Sequence, residues 1–171
     1  GGFVSVVRTD VMQGLLMLVG SVVIFYFVTR AAGGVASISR LSALPEKQFL
    51  FELNGGIPFA VLLGVSLSGS LKLLADPRQL SRFYALKDEA EALRGKWIAT
   101  IGLTIVLGCL FPVGIYAHLI LTDVTDTDLI VPSLVNDASV FPFWATDFLV
   151  VSILAAAMSS MDSVLLVAAS T

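Results

Sequence analysis

The chain has 171 residues, 57% of them hydrophobic and only 13% charged, with a net charge of −3 and a mean hydropathy of +0.94. Soluble domains carry about 25% charged residues, so this balance excludes disorder, a nucleic-acid-binding domain and most soluble enzymes. Composition makes lipid the solvent for most of the chain.

The chain opens on Gly1-Gly2-Phe3 with no initiator Met and stops inside an apolar run, which reads as a piece of a longer protein. A spanning helix needs about 20 mostly apolar residues to cross roughly 30 Å of hydrocarbon. Four segments meet that length: about Val11–Val28, Gly56–Leu74, Trp97–Ile120 and Phe148 onward to the end at 171. Lys72 and Asp162 are the charged residues inside those spans. Backbone groups in lipid bond within their own segment, so long continuous runs mean helices rather than a barrel.

After the first span comes the loop from Ala31 to Asn54, with Arg40 and Lys47. The second span carries Gly55, Gly56, Pro58, Gly64, Ser66, Ser68, Gly69 and Ser70, a composition that suits an irregular helix but is also common in any membrane helix. The loop 76–96 then holds Arg78, Arg82, Lys87, Arg94 and Lys96, and its stretch from Ala85 to Lys96 reads as a charged helical extension. The third span contains Pro112 with Gly108 and Gly114, which predict a bend, Cys109, which reads as packing, and His118 at its outer end, which reads as interface decoration. The loop 121–146 has no Lys or Arg but carries Asp123, Asp126, Asp128 and Asp137, with a short helix expected over Asp128–Asn136. By the positive-inside rule, loop 76–96 is cytoplasmic and loop 121–146 external, so the first span runs outward and the fourth inward. Pro142 and Asp147 favour a helix start for the fourth span.

That fourth span carries the chemistry. At about 100° per residue, Ser152, Ala156, Ser159, Ser163 and Ser170 share one side, with Ser160 and Asp162 flanking it. Ser159 lies roughly 16 Å along the helix from Phe148, near the midplane. An ionised Asp near the bilayer centre costs at least about 2.5–3.5 kcal/mol on insertion scales. Asp162 therefore calls for a cation, a proton or a basic partner. Hydroxyl, carboxylate and carbonyl oxygens suit a hard cation, while Ser and Ala also serve close helix packing; both readings of the serines stand. Lys72 has two readings as well: a side chain reaching the interface or pairing with Asp76, or a cationic partner for a bound anion or for Asp162. Enzyme readings fail for want of a base beside the serines, a second deep carboxylate, or a phosphate-cradling loop.

Three stretches resemble the sodium:solute symporters, the family of sodium–proline, sodium–pantothenate and sodium–glucose carriers. They are Gly1-Gly2-Phe3-x-x-Val6-x-x-Thr9-Asp10-x-x-Gln13-Gly14, Pro77-x-x-Leu80-x-Arg82-Phe83, and Ala155-Ala156-x-Met158-Ser159-Ser160-x-Asp162-Ser163. The resemblance covers essentially residues 1–171 as one partial transmembrane domain. It implies an all-α membrane protein whose four transmembrane helices are core helices five to eight of a ten-helix inverted repeat of the leucine-transporter type. It further implies sodium as the coupling ion with no other cofactor, a small organic solute as cargo, and lipid and the remaining helices of a parent chain as neighbours. A bacterial plasma membrane is the implied location. Carried over residue by residue, the main sodium site takes the Ala156 carbonyl and the Ser159 and Ser160 hydroxyls, with the other ligands on a first core helix that is not in this sequence. A second cation site of some members matches Ser159, Asp162 and Ser163. Arg8 stands where many members have Trp, and Lys72 replaces a small residue, so the resemblance leaves the substrate unnamed. Two alternatives remain at this point: a symporter-like sensor module of a signalling protein, and a proton-coupled carrier titrating Asp162.

Overall fold

In the computed structural model, which describes residues 3–52, 57–76, 88–121 and 126–170, every regular element is helical. Among the described residues six α-helices follow in chain order: α1 (Phe3–Ala31), α2 (Ile38–Ser42), α3 (Phe59–Ala75), α4 (Glu89–Ile120), α5 (Ile130–Val135) and α6 (Phe143–Ser170). Short 3-10 turns lie at Val35–Ser37, Pro45–Phe51 and Thr127–Leu129.

Three of these helices are long and apolar enough to cross a membrane: α1, α4 and α6. The expected second span appears as α3, whose 17 residues reach only about 26 Å at 1.5 Å per residue. That falls short of the hydrocarbon thickness, so length alone does not make it a fourth span. Gly55 and Gly56, expected at its start, lie outside the described residues, as do Pro77, Leu80, Arg82, Phe83, Arg78, Lys87 and Asp123. Within α3 the helix is regular rather than broken. Ser66 and Ser70 return their hydroxyls to the Leu62 and Ser66 carbonyls at 2.8 Å each.

Helix ends explain where the other spans differ from expectation. α1 begins eight residues before Val11, because its polar start satisfies itself: the Thr9 hydroxyl bonds to the Ser5 carbonyl at 2.9 Å and to the Val6 carbonyl at 3.0 Å. It ends at Gly33-Gly34, where φ is +95° and +89°. There the Gly34 N–H returns to the Thr29 carbonyl and the Gly33 N–H to that of Arg30, a Schellman closure that needs a residue free of Cβ strain. From Glu89 on, the charged extension and the third span form one helix, α4, capped by the Asp88 carboxylate accepting from the Glu91 N–H at 2.8 Å. Pro112 sits inside α4 and withholds one backbone donor. The short helix expected around Asp128–Asn136 is present as a 3-10 turn running into α5. α6 starts at Phe143, directly after Pro142.

α1 is the hub, packed along both α6 and α4. The dense core sits at one end of the bundle, where Ile24 and Val28 of α1 meet Val113, Tyr116 and Ala117 of α4, Leu134 and Val135 of α5, and Ala145 and Leu149 of α6. The Thr146 hydroxyl ties α6 to the Val135 carbonyl at 3.0 Å. Phe27 packs its ring 5.7 Å from Phe141 and 5.8 Å from Trp144 at this end, an aromatic cluster of the sort that marks a membrane interface. Elsewhere large apolar side chains are exposed: Ile98 by 73% and Phe111 by 71% on α4, and nearly every described residue of α3. Such surfaces belong against lipid or further helices, not water.

Candidate functional site

Two side-chain bonds fix the register of α1 against α6. The Ser152 hydroxyl donates to the Leu16 carbonyl at 3.2 Å and to its own-helix Phe148 carbonyl at 2.9 Å. Seven residues on, the Ser159 hydroxyl donates to Asp10 Oδ1 at 3.2 Å. Numbers rise on α6 as they fall on α1, so the two helices are antiparallel. The close approach is made by Gly20, where an added Cβ would lie 2.8 Å from Ser152 Cβ and Oγ. Small residues at both partners let the backbones draw near, as at other membrane helix contacts.

Part of the serine stripe read from the sequence packs on α1: Ser152 is buried and Ser159 half-buried, each bonded across to it, while Ser163 is half-buried and Ser160 exposed. Below Ser152 the hydroxyls form a linked set. Ser160 donates to the Ala156 carbonyl at 3.3 Å, and Ser163 donates to the Ser159 carbonyl at 2.9 Å. The helix is continuous through this region, so the Ala156 carbonyl is not freed by unwinding. A carbonyl has two lone pairs, and turning the Ser160 hydroxyl away exposes one of them together with a hydroxyl oxygen. Asp162 stands half-buried beside this set. Lys72 is exposed on α3, and α3 makes no substantial contact with the other described helices, so the structure does not bring Lys72 to the site. His118 is half-buried at the end of α4, and Cys109 half-buried in its middle.

Two residues of α1 join the site that sequence reasoning had not assigned to it. Asp10 lies two turns inside α1 and is half-buried; the drawn span began one residue later. Gln13 is 7% exposed, and its Oε1 is buried with no hydrogen-bond partner among the described residues. A buried amide oxygen left unsatisfied costs about 1–3 kcal/mol. Sequence gave one signal for each, a carboxylate and an amide one turn apart at the polar start of a long apolar run.

Above this polar region lies a cavity of about 440 Å³ between α1, α4, α5 and α6, bordered by Gly20, Val113, Val135, Ser152 and Ala156. Its lining is almost wholly apolar, since the Ser21 and Ser152 hydroxyls are turned to backbone carbonyls.

Comparison with known proteins gives this arrangement its context. The family model of the sodium:solute symporter family matches residues 1–171. The chain belongs to the sodium:solute symporter family. It is 27% identical over 168 residues to the sodium/pantothenate symporter of Haemophilus influenzae, covering 97% of this chain and 34% of that protein. With the osmoregulated proline transporter OpuE of Bacillus subtilis it shares 31% identity over 175 aligned positions, 99% of this chain and 35% of that one. The sodium/pantothenate symporter of Escherichia coli is 28% identical over 173 positions, covering 100% and 35%. The chain thus spans about a third of the length of the curated relatives it matches. No solved structure matches it. Sodium:solute symporters are carriers rather than enzymes, and the exposed apolar helices place this one in the membrane with several passes.

Proposed function

We propose that this chain is part of a carrier that moves a small organic solute across a bacterial plasma membrane by alternating access, driven by sodium. The observation that carries the reading is the bond from Ser159 to Asp10, which sets a carboxylate against a stripe of hydroxyl oxygens inside a membrane bundle. A carboxylate beside hydroxyl and carbonyl oxygens is a donor set that suits a hard cation. The main sodium site takes the Ala156 carbonyl and the Ser159 and Ser160 hydroxyls, and Asp10 supplies negative charge from the neighbouring helix. Ser159, Asp162 and Ser163 form a second cation position further along α6. The rest of the main site belongs to helices outside this sequence, in a ten-helix inverted-repeat core of which α1, α3, α4 and α6 are the fifth to eighth. Loop 76–96 faces the cytoplasm and loop 121–146 the outside.

Sodium shifts the balance of outward- and inward-open states only by its differential affinity for them. In this reading it bridges α6 to the missing first core helix and favours the outward-open form, in which solute binds. Rocking of one helix group against the other then releases both inside. Two of the matched relatives are sodium/pantothenate symporters and one a proline transporter, so pantothenate and proline head the substrate screen. The test is uptake by the full-length protein carrying this sequence, reconstituted in vesicles. Uptake driven by an inward sodium gradient at constant pH supports the proposal; uptake that follows a pH gradient and ignores sodium contradicts it.

A further inference from the structure

We propose that Gln13 is a further oxygen ligand of the cation site on α6, supplied from α1 through its side-chain carbonyl. This rests on reading the contact between α1 and α6 as the sodium site. Three observations converge on Gln13. Its Oε1 is buried and has no hydrogen-bond partner among the described residues, although the residue is 7% exposed. Around α1, seven residues separate it from Gly20, which at about 100° per residue puts the two within about 20° of each other. Gly20 is the residue that packs directly on Ser152, so Gln13 shares the face turned to α6. Along the pair, Leu16 meets Ser152 and Asp10 meets Ser159. Gln13, midway between Leu16 and Asp10, falls level with Ala155 and Ala156.

An amide oxygen in that position has two ways to be satisfied: a hydrogen-bond donor or a cation. The neighbouring hydroxyls of α6 are already committed. Ser152 donates to the Leu16 and Phe148 carbonyls, Ser159 to Asp10, and Ser160 to the Ala156 carbonyl. At the level of Gln13 α6 presents Ala155 and Ala156, whose side chains donate nothing. A sodium ion against the Ala156 carbonyl meets this need, since neutral carbonyl and hydroxyl oxygens are the donors a hard cation takes. Gln13 and Asp10 then give α1 a neutral and a charged oxygen one turn apart, facing the Ala156 and Ser159 oxygens of α6.

The experiment measures equilibrium sodium binding by the full-length protein as Gln13→Leu, Gln13→Glu, and Ser159→Ala with Ser160→Ala. Losing one oxygen is expected to raise the half-saturating sodium concentration roughly tenfold in Gln13→Leu. Gln13→Glu, which keeps an oxygen at the same reach, is expected to bind sodium as tightly as the unaltered protein or tighter. Unaltered binding in Gln13→Leu beside lost binding in the double serine variant overturns the role of Gln13 and leaves the serine site standing. Unaltered binding in all three overturns the site and this inference together. Should Gln13→Leu fail to fold, Gln13→Glu decides: sodium binding kept supports the proposal, and binding lost in a folded protein overturns it.

Discussion

Ser159 donates its hydroxyl to Asp10 Oδ1 at 3.2 Å, across 149 positions of sequence. That bond places the charge of one membrane helix against the oxygen stripe of another. Asp10→Asn keeps an acceptor for Ser159 but removes the charge. The expected result is a folded protein whose sodium affinity falls, roughly 10-fold or more, as for loss of other partners that support a bound metal. Asp10→Ala is expected to weaken sodium binding at least as much, because Ser159 also loses its acceptor. Sodium titration of both variants checks the order.

Gly20 is the residue on which the two helices close. Gly20→Ala would bring its Cβ to 2.8 Å from Ser152 Cβ and Oγ, so α1 and α6 must shift apart. Overpacking of this kind costs about 1–3 kcal/mol. Ser152→Gly removes both obstructing atoms and is expected to restore much of the loss when combined with Gly20→Ala. Thermal unfolding of the two single variants and the double variant, in detergent, measures the coupling. Additive losses would show that the contact does not limit packing.

How much of this was legible in the sequence follows from the physics of each feature. Three long apolar helices were legible because such runs have no other stable home, and the grouping of Ser152, Ala156, Ser159 and Ser163 on one side of α6 follows from helical periodicity. The helix ends were not legible. The apolar run begins about Val11, but Thr9 turns its hydroxyl back to the Ser5 and Val6 carbonyls and the helix continues through them. Asp10 therefore lies on the same helix as the first span, one residue before the apolar run. The start of the second span is not sharp in composition either, since Ile57 and Pro58 are apolar enough to extend the run, and the described helix covers Phe59–Ala75. Which residue of α1 faces Ser159, and that Gln13 buries its amide oxygen, depend on tertiary register. Periodicity within one helix carries no information about that register.

The connection between α5 and α6 holds a carboxylate with its own pH signature. Asp137 Oδ1 accepts from the Ser139 hydroxyl at 2.7 Å and from the Ser139 N–H at 2.8 Å. The hydroxyl and then the N–H hold its pKa below the ordinary value of 3.8, with burial opposing only slightly. A folded pKa lowered in this way stabilises the turn above the ordinary carboxylate value, and the gain is lost as pH falls through the lowered folded value. NMR titration of the Asp137 carboxyl carbon is expected to show a midpoint below 3.8, and Ser139→Ala is expected to raise it. A midpoint at or above the ordinary value contradicts the arrangement.

Orientation is open to a direct chemical check. In a Cys109→Ser background, Glu91→Cys near the start of α4 is expected to react with an impermeant thiol reagent only from the cytoplasmic side. Asp128→Cys, exposed beside α5, is expected to react only from outside. The reverse pattern would invert the topology derived from the loop charges.

The central claim is that the oxygens of Ala156, Ser159 and Ser160 hold the coupling ion. Its most direct test is radioactive sodium binding to the full-length protein, with and without Ser159→Ala plus Ser160→Ala. Saturable binding that disappears in the double variant, while the protein stays folded, is the result predicted here. Binding that survives the double substitution would contradict the claim.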